Sequence, residues 1–351
     1  MQKLLLFKTS QIAVRSGIIL LLMSCGQTAT NDTKLKTNLG SIGNQLVKDT
    51  FEQYRNKAEH CRASSAAPRV LVTGFGLFSD VEYNISGTVI SSFADPNFIG
   101  SNIDYNGLMV PSAVASRGRL DFSDLGGRAE NRTIRISGQE YELCLLTLDV
   151  LWDLAAAIVM DEAHAFRPDL IIMTGRGRKT HQAVWEGYAR NQTKAVSGYL
   201  SSGASAEGSN LPVDSEIPVL PSLATGAELR MSWDSAMLKS STEQIISDIN
   251  PDFAAAAPST WSSGNDYICN NISFVALAAR EHKQISLAGG ILNFSPEQSD
   301  LAQATKIGFL HFPSASDNNP AQVMGWIKVL ATAIHASLSS NFKSTSTSDS
   351  P

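Results

Sequence analysis

The stretch from Arg132 to Gly175 leaves this chain few folds to choose from. "RTIRISGQEYELCLLTLDV" (132–150) alternates Ile134 and Ile136, then Tyr141, Leu143 and Leu145, across a Ser-Gly-Gln turn, which is the two-residue period of a hairpin. From Leu151 to Phe166 the period becomes helical, and it stops before Pro168, whose ring cannot continue a helix. "DLIIMTG" (169–175) then supplies a short apolar run of strand length. Strand, helix and strand in succession imply an α/β sheet. "RVLVTGF" (69–75) and "KIGFLHFP" (306–313) are further buried strands, and "QISLAGGIL" (284–292) reads as strand as well. Residues 79 to 131 read as extended loops around a short helix. Helices are expected over 179–194, near 234–248, at Cys269, and from Pro320 to Leu338, where Val323, Ile327, Leu330, Ile334 and Leu338 share a face. The expected architecture is a three-layer α/β/α sandwich around a twisted, mostly parallel, mixed sheet.

The two ends of the chain stand outside this pattern. Residues 1–24 carry Lys3, Lys8 and Arg15 with no acid, then "GIILLLMS", which has the charge layout and length of an export signal. The run ends in "LMSC" (22–25), resembling the lipobox of bacterial lipoproteins, so Cys25 is expected to be acylated and to anchor an exported chain to a membrane. Residues 25–67 read as a spacer with one modest helix, 68–340 as the α/β domain and 341–351 as a disordered tail. A Ser-, Gly- and Pro-rich stretch from Val196 to Gly226 reads as a long loop near a functional face. The formal charge of −5 offers no basic face for nucleic acid.

Three short motifs fail on their context. "DEAH" (161–164) lacks a phosphate loop before it and reads as a solvated helix end. "TGRGRKT" (174–180) follows a strand, yet Thr180 replaces the third glycine of a dinucleotide loop. No two of the six histidines have metal-ligand spacing, so no metal site is expected.

Three residues carry chemistry. Cys269, in "SSGNDYICNN", sits where a turn-like run gives way to an apolar helix, and a helix N-terminus favours a thiolate. His311 lies at the end of the "GFLHFP" strand, a position from which a base could activate the thiol. Glu186, in "AVWEGYARN", could orient that imidazole as the third member of a triad.

In combination, "RVLVTGFGLFSDVEYNIS", "PDLIIMTGRGRKTHQAVWEGYARN", "SSGNDYICNN" and "GFLHFP", in this order, resemble the pyroglutamyl-peptidase I family of cysteine peptidases. The likeness runs from about residue 69 to 338, with insertions near 95–131 and 196–235. It implies Cys269 as nucleophile, His311 as general base and then acid, and Glu186 as its orienter. Phe75 and Phe78 would be the apolar walls that grip a lactam ring, with Asn84 in the same loop. The reaction implied is removal of an N-terminal pyroglutamyl residue from a peptide, without a cofactor. The alternatives are a non-catalytic binding lipoprotein on the same fold and a cysteine hydrolase of another amide or ester.

The chain departs from the family at several points. Arg176 stands where the family has a substrate-side Gln, Arg178 and Lys179 replace a glycine pair, Leu77 replaces a Pro, and Val196 stands where an Arg is expected. A guanidinium beside a neutral lactam must be paired or solvated, so Arg176 implies a relative preference for substrates with a carboxylate within reach. The competing account has Arg176 supporting Glu186 in place of the missing Arg. With Cys269 reserved as nucleophile, export implies a bridge between the remaining pair, Cys61 and Cys144.

Overall fold

The computed structural model describes residues 44–45, 47–56, 60–76, 84–93, 127–194, 216–261, 267–295, 297–298, 301–317 and 319–342. The leader, Cys25, Phe78, Val196 and residues 343–351 lie outside the described residues, and the last helix runs on to Phe342, two residues into the expected tail.

Seven strands form one sheet in the order β10-β5-β13-β4-β1-β3-β2. Its centre is four parallel strands: β13 (Lys306–Phe312), β4 (Leu170–Arg176), β1 (Arg69–Phe75) and β3 (Gln139–Leu148). Their middles are the apolar runs of the sequence, buried on both sides because helices cover both faces, with polar residues mostly toward the strand ends. The edges reverse direction. β2 (Gly127–Ile136) runs antiparallel to β3 through a two-residue turn at Ser137 and Gly138, both at positive φ, the backbone a tight hairpin needs. On the other side β5 (Gln182–Trp185) runs antiparallel to β13 and carries β10 (Ala254–Ala256).

The helices are α1 (47–56), α2 (Ile85–Phe93), α3 (Leu154–Phe166), α4 (Ser235–Ile249), α5 (Ile268–Arg280) and α6 (Val323–Phe342). Helices α2, α4 and α6 form one packed group and α3 with α5 another, and both groups lie against the sheet, which completes three layers. Three short ribbons decorate this body: β6 (Tyr188–Arg190) with β9 (Glu228–Arg230), β7 (Thr193–Lys194) with β8 (Glu216–Ile217), and β11 (Ile285–Leu287) with β12 (Leu292–Phe294).

Two sequence expectations are corrected. The helix expected over 179–194 is instead β5 and β6, and along β5 burial alternates, with Ala183 and Trp185 inside. The "DEAH" helix end is not solvated. Glu162 is 0% exposed and accepts hydrogen bonds from the Tyr54 hydroxyl, from His60 Nδ1 at 2.7 Å and from the Cys61 amide at 2.8 Å. Asp161 pairs with Arg55 at 3.2 Å. These two acids therefore grip the N-terminal segment, whose Val47, Phe51 and Tyr54 enter the core at helical spacing. A Cys61–Cys144 disulfide, with Cα atoms 5.6 Å apart, fastens the same segment to β3.

Candidate active site

The carboxyl ends of the parallel strands meet at one edge of the sheet, where α/β proteins build their sites. There His311 of β13 lies opposite Gly175 of β4 in the parallel register. The first turn of α5 brings Cys269 down onto the same spot. A Cβ added at Gly175 would come within 2.7 Å of Cys269 Sγ and 2.9 Å of the Phe309 ring, so a glycine here is the seat of the sulfur. Sequence reasoning passed over Gly175. The signal was present in its position, one glycine at the end of an otherwise bulky strand.

Glu186 reaches the site from the turn between β5 and β6. Its amide donates to Phe309 O at 2.9 Å, and its carbonyl accepts from Trp233 Nε1 and Ser235 Oγ, each at 3.0 Å. The backbone is thereby fixed on both sides of the carboxylate. Glu186 Oε1 lies 2.8 Å from His311 Nδ1, which places the proton on Nδ1 and turns Nε2 toward the thiol. Cys269 is 7%, His311 8% and Glu186 3% exposed, so the three form a nearly dry group. Burial pulls the His311 pKa down, but the charge of Cys269 and its hydrogen bond, together with the bond and charge of Glu186, more than offset it and raise it to about 10. Glu186 Oε2 is buried with no hydrogen-bond partner among the described residues.

Helix α5 is held by its own polar residues. Asn270 accepts from the Arg190 amide at 2.8 Å and donates to the carbonyls of Arg190 and Gln192, both at 2.7 Å. It thus couples the residue after Cys269 to the strand that follows Glu186. Asn271 donates to Asp153 Oδ1 at 3.1 Å, and the other oxygen of Asp153 takes the Ala288 amide at 2.6 Å. Both asparagines are buried, and a pair of amide side chains in the first turn of an apolar helix was the clue available in "CNN".

The remaining candidates fall as follows. Phe75 ends β1 and is 2% exposed, with its amide donating to Ser86 Oγ at 3.1 Å. Asn84 caps α2: its Oδ1 accepts from the Ser86 amide at 3.2 Å and the Ser86 hydroxyl at 2.8 Å. Arg176, the last residue of β4, donates from Nε to Asp317 Oδ2, and Asp317 Oδ1 accepts from the Ile85 amide at 3.2 Å. The partner that a guanidinium demands at this place is therefore supplied by the chain itself. This removes the premise for expecting a substrate carboxylate there, and it also sets aside the account in which Arg176 supports Glu186. Burial pushes the Asp317 carboxyl above its ordinary value, with Arg176 and the Ile85 amide pulling against it. Among the described residues the group with metal-ligand geometry is Cys61, Cys144 and Glu162, and its two sulfurs are joined in the disulfide. No described helix is long and apolar enough to cross a membrane.

The chain is similar to pyrrolidone carboxyl peptidase from Pyrococcus furiosus, at 15% identity over 78% of this chain and 99% of that one, with a TM-score of 0.45. It is similar to the Thermococcus litoralis pyrrolidone carboxyl peptidase at 15% identity, over 81% and 99% of the two chains, with a TM-score of 0.44. It is similar also to pyroglutamyl peptidase I from Bacillus amyloliquefaciens at 16% identity, over 77% and 96%, with a TM-score of 0.43. No protein-family model and no curated sequence matches the chain.

Proposed function

We propose that the chain is a cysteine hydrolase that acts through Cys269, His311 and Glu186. Within that class, the motifs around these residues lead us to a peptidase that removes an N-terminal pyroglutamyl or related residue. The observation that carries the reading is a buried imidazole held between a thiol and a carboxylate, with His311 Nδ1 2.8 Å from Glu186 Oε1.

In this mechanism the Cys269 thiolate attacks the carbonyl carbon of the first residue and a C–S bond forms. The amides of Asn270 and Asn271 already close onto Tyr267 O, so the oxyanion falls to the Cys269 amide at the open end of α5. His311 gives its proton to the leaving amine as the C–N bond breaks. Water then attacks the thioester, His311 takes its proton, and the acid and the free thiolate are regenerated. Glu186 keeps the imidazole in one tautomer throughout.

One observation favours a second reading, a cysteine hydrolase of another amide or ester. Phe75 and the Asn84 carboxamide oxygen, two of the groups expected to grip a lactam, are committed to the fold. A panel of fluorogenic acyl amides decides between the two. The expected result is turnover of the pyroglutamyl amide above the others, lost in Cys269→Ala. Turnover of other acyl amides alone would leave the triad and remove the pyroglutamyl specificity. Binding without turnover by the wild type would make the chain a binding module. We further propose that the chain is exported and anchored to a membrane through acylated Cys25, with the domain on the periplasmic side or the cell surface.

A further inference from the structure

Arg176 and Asp317 stand one residue away from the reacting groups on two different strands. Arg176 follows Gly175, the seat of the Cys269 sulfur, and pairs in register with Phe312, the residue after His311. The Arg176 side chain is 34% exposed at this edge, whereas that of Asp317 is 8% exposed. Successive strand residues face opposite sides of the sheet, so the Arg176 side chain points away from the face on which Gly175 seats the Cys269 sulfur and toward the start of α2, where Asp317 meets it.

Asp317 is built as a fixed post. It follows the turn Ser314–Ser316, and its amide donates to Ser314 O at 3.2 Å. Ser316 accepts from Trp326 Nε1 of α6 at 3.1 Å, and the amides of Ser314 and Ala315 donate to the carbonyls of Lys179 and Thr180, each at 3.1 Å. One carboxylate oxygen takes the Ile85 amide at the start of α2 and the other takes Arg176 Nε. Among the described residues the carboxylate with which Arg176 forms an ion pair is this one.

A guanidinium whose side chain is one-third exposed, set across the sheet from the sulfur at the same strand end, would still draw anions toward this edge, and its field there would be screened only in part. A carboxylate in contact with it converts the pair to a dipole whose field falls off much faster. We propose that Asp317 is a specificity-determining residue, which cancels the Arg176 charge so that the site admits uncharged acyl groups and does not favour anionic ones. The inference rests on the reading of Cys269 as the reactive thiol, but not on the pyroglutamyl substrate.

The test compares alkylation of Cys269 in the full-length protein by neutral iodoacetamide and anionic iodoacetate, reagents that differ chiefly in charge. Asp317→Asn keeps an oxygen for the Ile85 amide and removes the charge, leaving Arg176 uncompensated. The iodoacetate-to-iodoacetamide rate ratio is expected to rise about threefold at low salt, and the rise should shrink as salt is added. Arg176→Gln leaves Asp317 uncompensated, and the ratio is expected to fall by a similar factor. The double variant, Arg176→Gln with Asp317→Asn, is expected to return to the wild-type ratio. A purely structural role would change both rates together and leave the ratio where it was, which would overturn the proposal. A rise in Asp317→Asn that persists in the double variant would overturn it too, since the charge would then not be that of Arg176. If neither reagent reaches Cys269 in the wild type, the reactive-thiol reading falls and takes this one with it; if both react and the ratio is the same in all four proteins, only the charge assignment falls.

Discussion

Burial alone would strip His311 of its proton, because an imidazolium loses more by leaving water than a neutral ring does. Cys269 and Glu186 reverse that outcome and raise the pKa to about 10, above the roughly 6.5 of an unfolded histidine. The sign of the linkage follows. The folded state holds this proton more tightly, so the stabilisation is full below about pH 6.5 and is lost as pH rises through about 10. Following the His311 ring proton by NMR should show a single titration at the alkaline end of that window in the wild type. In Cys269→Ala the largest favourable contribution is gone, so the midpoint should move down; an unmoved midpoint would mean that the thiol and imidazole do not share the charge. Glu186→Gln tests the other neighbour. A carboxamide can hold the ring through its oxygen but carries no charge to steady the imidazolium, so kcat should fall about 10²- to 10⁴-fold with the fold intact by circular dichroism. A loss below tenfold would make Glu186 a packing residue.

At the scale of elements, the site depends on how closely α5 lies over β4. Gly175→Ala would put a methyl group 2.7 Å from Cys269 Sγ and against the Phe309 ring, and neither neighbour is the loose end of a flexible chain. The expected outcome is a stability loss of about 1–3 kcal/mol, as for an overpacked core, with a rate loss larger than stability explains, because the sulfur is pushed off the line to His311. Alkylation of Cys269 and urea unfolding measured on the same sample check both parts. Normal alkylation and turnover in the variant would show that the sulfur does not rest on this glycine. What the sequence revealed of these elements follows from their burial. Strands β1, β4 and β13 are covered on both faces and so had to be written as apolar runs, and α3 had to end before Pro168. β5 and β6 were misread for a physical reason: Trp185, Tyr188 and Ala189 fall at i, i+3 and i+4, which imitates a helix face when two strands of four and three residues are joined by a short turn. Cys269, His311 and Glu186 could be picked out because each sits at a strand end, turn or helix start that leaves a local mark. Asn270 left a mark in "CNN", but its partner Arg190, 80 residues away, did not, and neither did the pairing of Asp317 with Arg176 across 141 residues, because no local pattern encodes such a partner.

For the whole molecule, the N-terminal segment decides how the domain is joined to whatever precedes it. If Cys25 carries lipid, Cys25→Ser should move the protein from the detergent phase to the soluble fraction, and unchanged partitioning would make the "LMSC" match accidental. An export route would also explain the Cys61–Cys144 bridge, because that compartment is oxidising. The bridge spans 83 residues, for which loop-closure entropy alone gives about 4–5 kcal/mol. The realised value should be lower. Glu162 holds Tyr54, His60 and Cys61 whether or not the sulfurs are joined, so the segment stays on α3 after the bridge is removed. Replacing both cysteines by serine should therefore cost about 2–4 kcal/mol in urea unfolding, with iodoacetamide still labelling Cys269 at the wild-type rate. Glu162→Gln added to that background should cost more than Glu162→Gln in the bridged protein, because two fastenings of one segment substitute for each other and their losses are not additive. Additive losses would mean that the disulfide and the buried glutamate stabilise separate parts of the fold. Loss of Cys269 labelling in the unbridged protein at temperatures where it remains folded would mean that the N-terminal segment reaches into the site itself.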